Sequence, residues 1–140
     1  MNRTLTLLAL IVSTLTSCAN QADRTAATAA AEQAVTKFHQ QLDGGRFAEI
    51  YAGSSAILKQ SASQQDFVAG LEAVHRKLGI LKSTKEQIGL FSVGTPGTMV
   101  TLDYITTYSE GDANERFVFR IQDNAASLSG YFINSKAFMK

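Results

Sequence analysis

Apolar and polar positions follow two different periods along this chain, and the change falls at Gly79. Before it the period is helical. Ala31, Ala34, Val35, Phe38 and Leu42 recur at short helical spacing in a stretch rich in Ala, Glu and Gln, which predicts a helix from about residue 26 to Leu42. Asp43-Gly44-Gly45 stops it, because glycine takes the left-handed cap without a Cβ clash. Phe47, Ile50 and Tyr51 mark one side of a shorter second helix, and Gly53 to Gln60 is less regular. A third helix carries Phe67, Leu71, Val74 and Leu78, with Ser61/Gln64 or Ser63/Asp66 as capping start and Gly79 as stop.

After Gly79 the pattern alternates. Ile80 to Val93 reads as one long or broken strand, followed by a turn at Gly94-Thr95-Pro96-Gly97. Val100, Leu102, Tyr104, Thr106 and Tyr108 share one side of a second strand, and Glu110-Gly111-Asp112 turns the chain. Phe117, Phe119 and Ile121 alternate with Arg116, Val118 and Arg120 in a third, and Asp123-Asn124 leads into a fourth, Ser127 to about Asn134. Helices first and a meander afterwards predict an α+β domain, its N-terminal helices packed on a curled antiparallel four-stranded sheet. The sheet's other face is expected to carry Met99, Ile105, Val118, Tyr131 and Ile133 among Thr101, Thr107, Arg116 and Arg120. That is too apolar for full solvation, so the face pairs with a second copy of the chain or the sheet curls to cover both sides; a homodimer is the expectation carried forward.

The N-terminus has a different character. Asn2 and Arg3 precede an eleven-residue apolar stretch, Leu5 to Leu15, the length of a signal-peptide core and too short to span a bilayer. Leu15-Thr16-Ser17-Cys18 resembles the lipobox of bacterial lipoproteins. The resemblance implies cleavage before Cys18, acyl chains on Cys18 and anchoring through them; two or three chains exceed the threshold for stable membrane attachment. Ala19 in place of Asp after that Cys implies the outer membrane, facing the periplasm, in a host with two membranes. Ser17-Cys18-Ala19 also satisfies an ordinary secretory cleavage rule, and an uncleaved anchor is a third reading. The expected organisation is a signal peptide over residues 1–17, a lipidated Cys and short tether over 18–25, and one domain over 26–140.

Composition narrows the function. Of 140 residues, 45% are hydrophobic, and 13 basic against 12 acidic side chains leave a net charge of +1. Without a basic field, binding to nucleic acid is excluded as the expectation. One Cys allows no internal disulfide, and two His with no Cys in the folded body argue against a structural zinc site. No Ser-His-Asp order, phosphate loop or metal-ligand spacing emerges, and no cofactor is expected.

The order of helices and strands resembles the cystatin-like cone of the nuclear transport factor 2-like superfamily, and more closely a group of small bacterial lipoproteins with domains of unknown function. Leu42-Asp43-Gly44-Gly45-Arg46-Phe47 and the run from Val100 to Ser135 carry the similarity. It implies a fold and an envelope location, and it brings no reaction. The function expected is therefore a lipid-anchored, non-enzymatic module binding a protein or a small ligand. The alternative is an isomerase- or hydrolase-like enzyme with a pocket in the cone. His39, Asp103, Tyr104 and Tyr108 are the candidate pocket residues, with His75 and Tyr131 as further groups able to carry a proton. Ordinary roles stand beside each of them. The histidines flank helix faces, Asp103 pairs with Arg116 or Arg120 on the next strand, and the tyrosines supply core area and one hydrogen bond each.

Overall fold

In the computed structural model, which describes residues 15–94 and 97–139, four helices precede one antiparallel sheet. They are α1 (Leu15–Asp43), α2 (Phe47–Ala52), α3 (Ala56–Ser61) and α4 (Gln64–Leu78). The strands β1 (Leu81–Gly94), β2 (Gly97–Tyr108), β3 (Gly111–Gln122) and β4 (Ala125–Asn134) pair in sequence order, and a 3₁₀ turn, Lys136–Met139, closes the chain. This is the α+β architecture expected, helices packed on one face of a curled four-stranded sheet.

α1 reaches further back than the apolar spacing required. No Gly or Pro interrupts residues 15–43, and Ala27 is buried one turn ahead of Ala31, so the segment expected as a tether continues the helix. The first fourteen residues of the expected signal peptide lie outside the described residues. Gly53 to Gln60, expected to be irregular, holds the two-turn helix α3. Its start is built by Ser55, whose side chain caps Leu58 N–H and meets Ser129 Oγ at 2.8 Å, while Ser55 N–H donates to Leu128 O.

The core lies between α1, α4 and the sheet. Ala31, Val35, Phe38 and Leu42 from α1 and Leu71, Val74 and Leu78 from α4 are buried against Val100, Leu102, Phe117, Phe119 and Leu128. Each large side chain sealed there contributes about 1.5–3 kcal/mol relative to exposure. β2 buries alternate residues as its period predicts: Val100, Leu102, Tyr104, Thr106 and Tyr108. β4 departs from simple alternation. Val118 pairs with Gly130 but Phe119 pairs with Leu128, so Ser129 is an extra residue in a bulge. The bulge reverses parity along β4, and this puts Tyr131 opposite Phe117 and Ile133 opposite Glu115, packed against the core. Simple alternation places both on the outer face, and the bulge corrects that expectation.

Candidate functional site

β3 faces the helices with Ala113, Glu115, Phe117 and Phe119, so the phase that buries two phenylalanines also buries a carboxylate. Glu115 is 2% exposed. Burying a charged carboxylate without partners would cost several kcal/mol, so its neighbours decide whether it can stay ionised.

Four donors surround it. His39 Nε2 lies 2.9 Å and Thr106 Oγ1 2.5 Å from Oε2; the hydroxyls of Tyr108 and Tyr131 lie 2.9 Å and 2.6 Å from Oε1. Each oxygen thus accepts two hydrogen bonds, which fills the lone-pair sites of a carboxylate. Desolvation is the largest single influence and pushes the Glu115 pKa up. The bond and charge of His39, with the bonds from Thr106 and Tyr131, outweigh it and hold the carboxyl below its ordinary value. Burial pushes the Tyr108 and Tyr131 phenols well above theirs, and the adjacent Glu115 charge adds to the effect.

An ionised Glu115 fixes the chemistry of His39. Because the carboxylate can only accept, Nε2 must carry the hydrogen. The hydrogen bond of the ring is the one at Nε2, to Glu115. The ring is also clamped: edge contacts to Phe38 and Phe117, with centroids at 5.7 and 5.6 Å, prevent it from turning freely.

His39 lines a cleft of about 480 Å³ between α1 and the first two strands. Glu32, Thr36 and Asp43 of α1 border it on one side, Thr84 and Glu86 of β1 and Tyr104 of β2 on the other. Tyr104 donates to Glu86 Oε2 at 3.2 Å; burial, and then the Glu86 charge, raise its phenol pKa. Asp43 Oδ1 accepts Leu81 N–H at 3.1 Å and ties the end of α1 to the start of β1.

The candidates of the sequence therefore separate. His39 and Tyr108 meet at Glu115, joined there by Tyr131, and Tyr104 stands in the cleft that His39 lines. Asp103 lies on the opposite face, directly across from Arg116 and bound by it twice, at 2.7 and 2.8 Å. The Arg116 hydrogen bond holds its carboxyl below the usual range, which suits an ion pair and not a base. It borders a hollow of about 590 Å³ with Arg116, Phe132 and Asn134, which Tyr104 and Glu115 also line. His75 sits on α4 against the Phe47 ring at 5.9 Å, away from the cleft. Glu115 and Thr106, which complete the cluster, do not stand out in the sequence. Their signal is parity: Glu115 is two residues before Phe117, and Thr106 is in phase with Tyr104 and Tyr108.

On the outer face Met99, Ile105 and Val118 stand as expected among Thr101, Arg116 and Arg120, and Phe132, Ile88 and Leu90 add exposed apolar area. Cys18 lies within the first turns of α1. Among the described residues no group of three or more His, Cys, Asp or Glu side chains is placed to hold a metal ion, and no helix is long and apolar enough to cross a membrane.

No family model matches the chain, and no curated protein matches it. Solved structures do. The chain is similar to a protein of Catenulispora acidiphila at 12% identity and a TM-score of 0.54, over 84% of this chain and 96% of that one. It is similar to the Aln2 protein of a Streptomyces species at 12% identity and a TM-score of 0.51, over 80% and 92% of the two chains. At that identity the likeness is one of fold. It defines the class as a small α+β domain with helices against a curled sheet.

Proposed function

We propose that this chain is a lipid-anchored cell-envelope protein, akin to the small bacterial lipoproteins with a cystatin-like domain, that binds a small molecule in the cleft between α1, β1 and β2. One observation carries the reading: Glu115, saturated by four donors, holds the buried imidazole of His39, a residue that lines the cleft. A carboxylate with every lone pair occupied and a lowered pKa is a poor base and a poor ligand contact. Its contribution is to orient His39, and His39 with Tyr104 reads the ligand. The same geometry favours an enzyme as the second reading, since a carboxylate-held imidazole is also a general base.

The test uses the mature protein extracted from the membranes of its natural host and examined by native mass spectrometry. Binding predicts a retained small molecule in the wild type that is missing from Thr36→Trp, which fills the cleft from α1. Identical spectra would overturn the reading. Chemical conversion of the released molecule on incubation with the protein, lost in His39→Ala, would select the enzyme. The anchor is tested separately with Cys18→Ala, which is expected to lose the mass of the acyl chains and its membrane association. Unchanged mass and fractionation would remove the lipoprotein assignment.

A further inference from the structure

We infer that two copies of this chain pack outer sheet face to outer sheet face about a two-fold axis that runs along the strands between β2 and β3, so that Asp103 of each copy meets the partner's Arg116. The inference concerns the face turned away from the helices and is independent of the cleft.

Residues directly opposite in an antiparallel pair point to the same side, so the register reads this face row by row. Ile88, Asp103, Arg116 and Phe132 form one row, one residue from each strand. Leu90, Thr101, Val118 and Gly130 form the row beside it. Ile88, Leu90, Ile105 and Phe132, all between 41% and 62% exposed, share the face, so apolar area surrounds an ion pair near its centre. Four strands of ten or more residues present roughly 600 Å² to a facing surface. Two such faces together bury about 1,200 Å², the lower end of specific interfaces.

The ion pair selects the occupant. Arg116 donates to Asp103 at 2.7 and 2.8 Å, and its side chain is 56% exposed. Exposed, such a pair contributes little; covered, it loses water from both charges and needs new partners. An apolar surface supplies none, and a surface of one sign repels half of the pair. A second copy supplies both signs, provided it is turned the right way. An axis across the strands would set Asp103 on Asp103 and Arg116 on Arg116. An axis along the strands reverses the row instead: Asp103 faces the partner's Arg116, and Ile88 faces the partner's Phe132. The four charges then alternate, and the outer apolar residues of the row meet each other. The neighbouring row fits the same turn. A Cβ at Gly130 would lie 3.2 Å from Phe132 Cε2, so the Phe132 ring leans over Gly130, the position that the partner's Leu90 faces. Strands of the two sheets run nearly aligned, as in ordinary sheet-on-sheet packing.

The experiment exploits the reversed order. Two differently tagged forms of the chain are produced in one host, extracted from its membranes in excess detergent, and captured through one tag while the other is quantified. Wild type should co-purify with wild type. Asp103→Arg paired with itself, and Arg116→Asp paired with itself, should each recover about tenfold less, because like charges then face like. Asp103→Arg with Arg116→Asp should recover the wild-type yield. No chain in that mixture holds an internal ion pair at these positions, so only contacts between chains can restore it. Asp103→Lys with Arg116→Glu repeats the test if either first variant fails to accumulate. Wild-type chains that do not co-purify, single variants that pair as well as wild type, or a mixture no better than either variant alone would each overturn the inference.

Discussion

A buried glutamate can remain ionised when both of its oxygens are fully hydrogen-bonded, and Glu115 meets that condition with His39, Thr106, Tyr108 and Tyr131. Removing the acceptor leaves four donors facing each other in a closed space. Glu115→Ala is therefore expected to lose about 3–5 kcal/mol of stability by urea denaturation, and Glu115→Gln less, because the amide keeps one acceptor. The pH dependence follows from the shifts. Glu115 binds its proton at lower pH folded than unfolded, so its stabilisation is complete above its ordinary value of 4.5 and is lost as pH falls through the folded value. Tyr108 and Tyr131 are raised instead. Their stabilisation is complete below pH 10.0 and is lost as pH rises beyond it, with Tyr104 adding to the same limb. Melting temperature against pH should accordingly fall at both ends, with the acid fall flattened in Glu115→Gln and the alkaline fall flattened in Tyr108→Phe. A flat profile below pH 4.5 in the wild type would contradict an ionised Glu115. At this scale the sequence was partly legible. His39, Tyr104 and Tyr108 stood out as chemical groups, but the residue they serve was hidden in a strand whose alternation drew the eye to phenylalanines.

Elements were legible where their period ran long. α4 and β2 repeat over enough residues to fix their faces, while α3, six residues with Leu58 as its buried residue, is too short to display a helical repeat. The two capping alternatives before α4 were decided by α3 itself: Ser61 is its last residue, which leaves Ser63 to accept Asp66 N–H at 3.1 Å. The bulge at Ser129 escaped for another reason. An extra residue has no signature in hydrophobicity, yet it turned Tyr131 toward Glu115 and Ile133 toward the core. Gly79 illustrates a position where pattern and structure agree and one atom decides. Its φ of +74° is unfavourable for any side chain, and a Cβ there would run into the Ser109 hydroxyl. Gly79→Ala should cost about 1–3 kcal/mol, read from the denaturation midpoint. A change below about 0.5 kcal/mol would mean that the junction between α4 and β1 is less constrained than this geometry requires.

At the level of the whole molecule, the change of period at Gly79 was enough to give helices on a curled antiparallel sheet. What the period could not give was where the polar cluster and the exposed apolar row would fall. The helix-facing side of the sheet holds the polar cluster and the cleft. The outer side presents a row of Ile88, Asp103, Arg116 and Phe132 across all four strands, an ion pair flanked by exposed apolar side chains. If that face pairs two copies, as its apolar content leads one to expect, sedimentation will give a dimer for the wild type and a monomer for Phe132→Glu. A monomeric wild type would end the dimer reading and leave the cleft untouched. The central claim is narrower: an ionised Glu115 fixes a hydrogen on Nε2 of His39, a residue that lines the cleft. Long-range ¹H–¹⁵N correlation of the histidine rings tests it directly. The account predicts, once His39 is neutral, a protonated Nε2 and an acceptor Nδ1, a preference weakened in Glu115→Gln. A hydrogen on Nδ1, or a tautomer indifferent to Glu115→Gln, would contradict it.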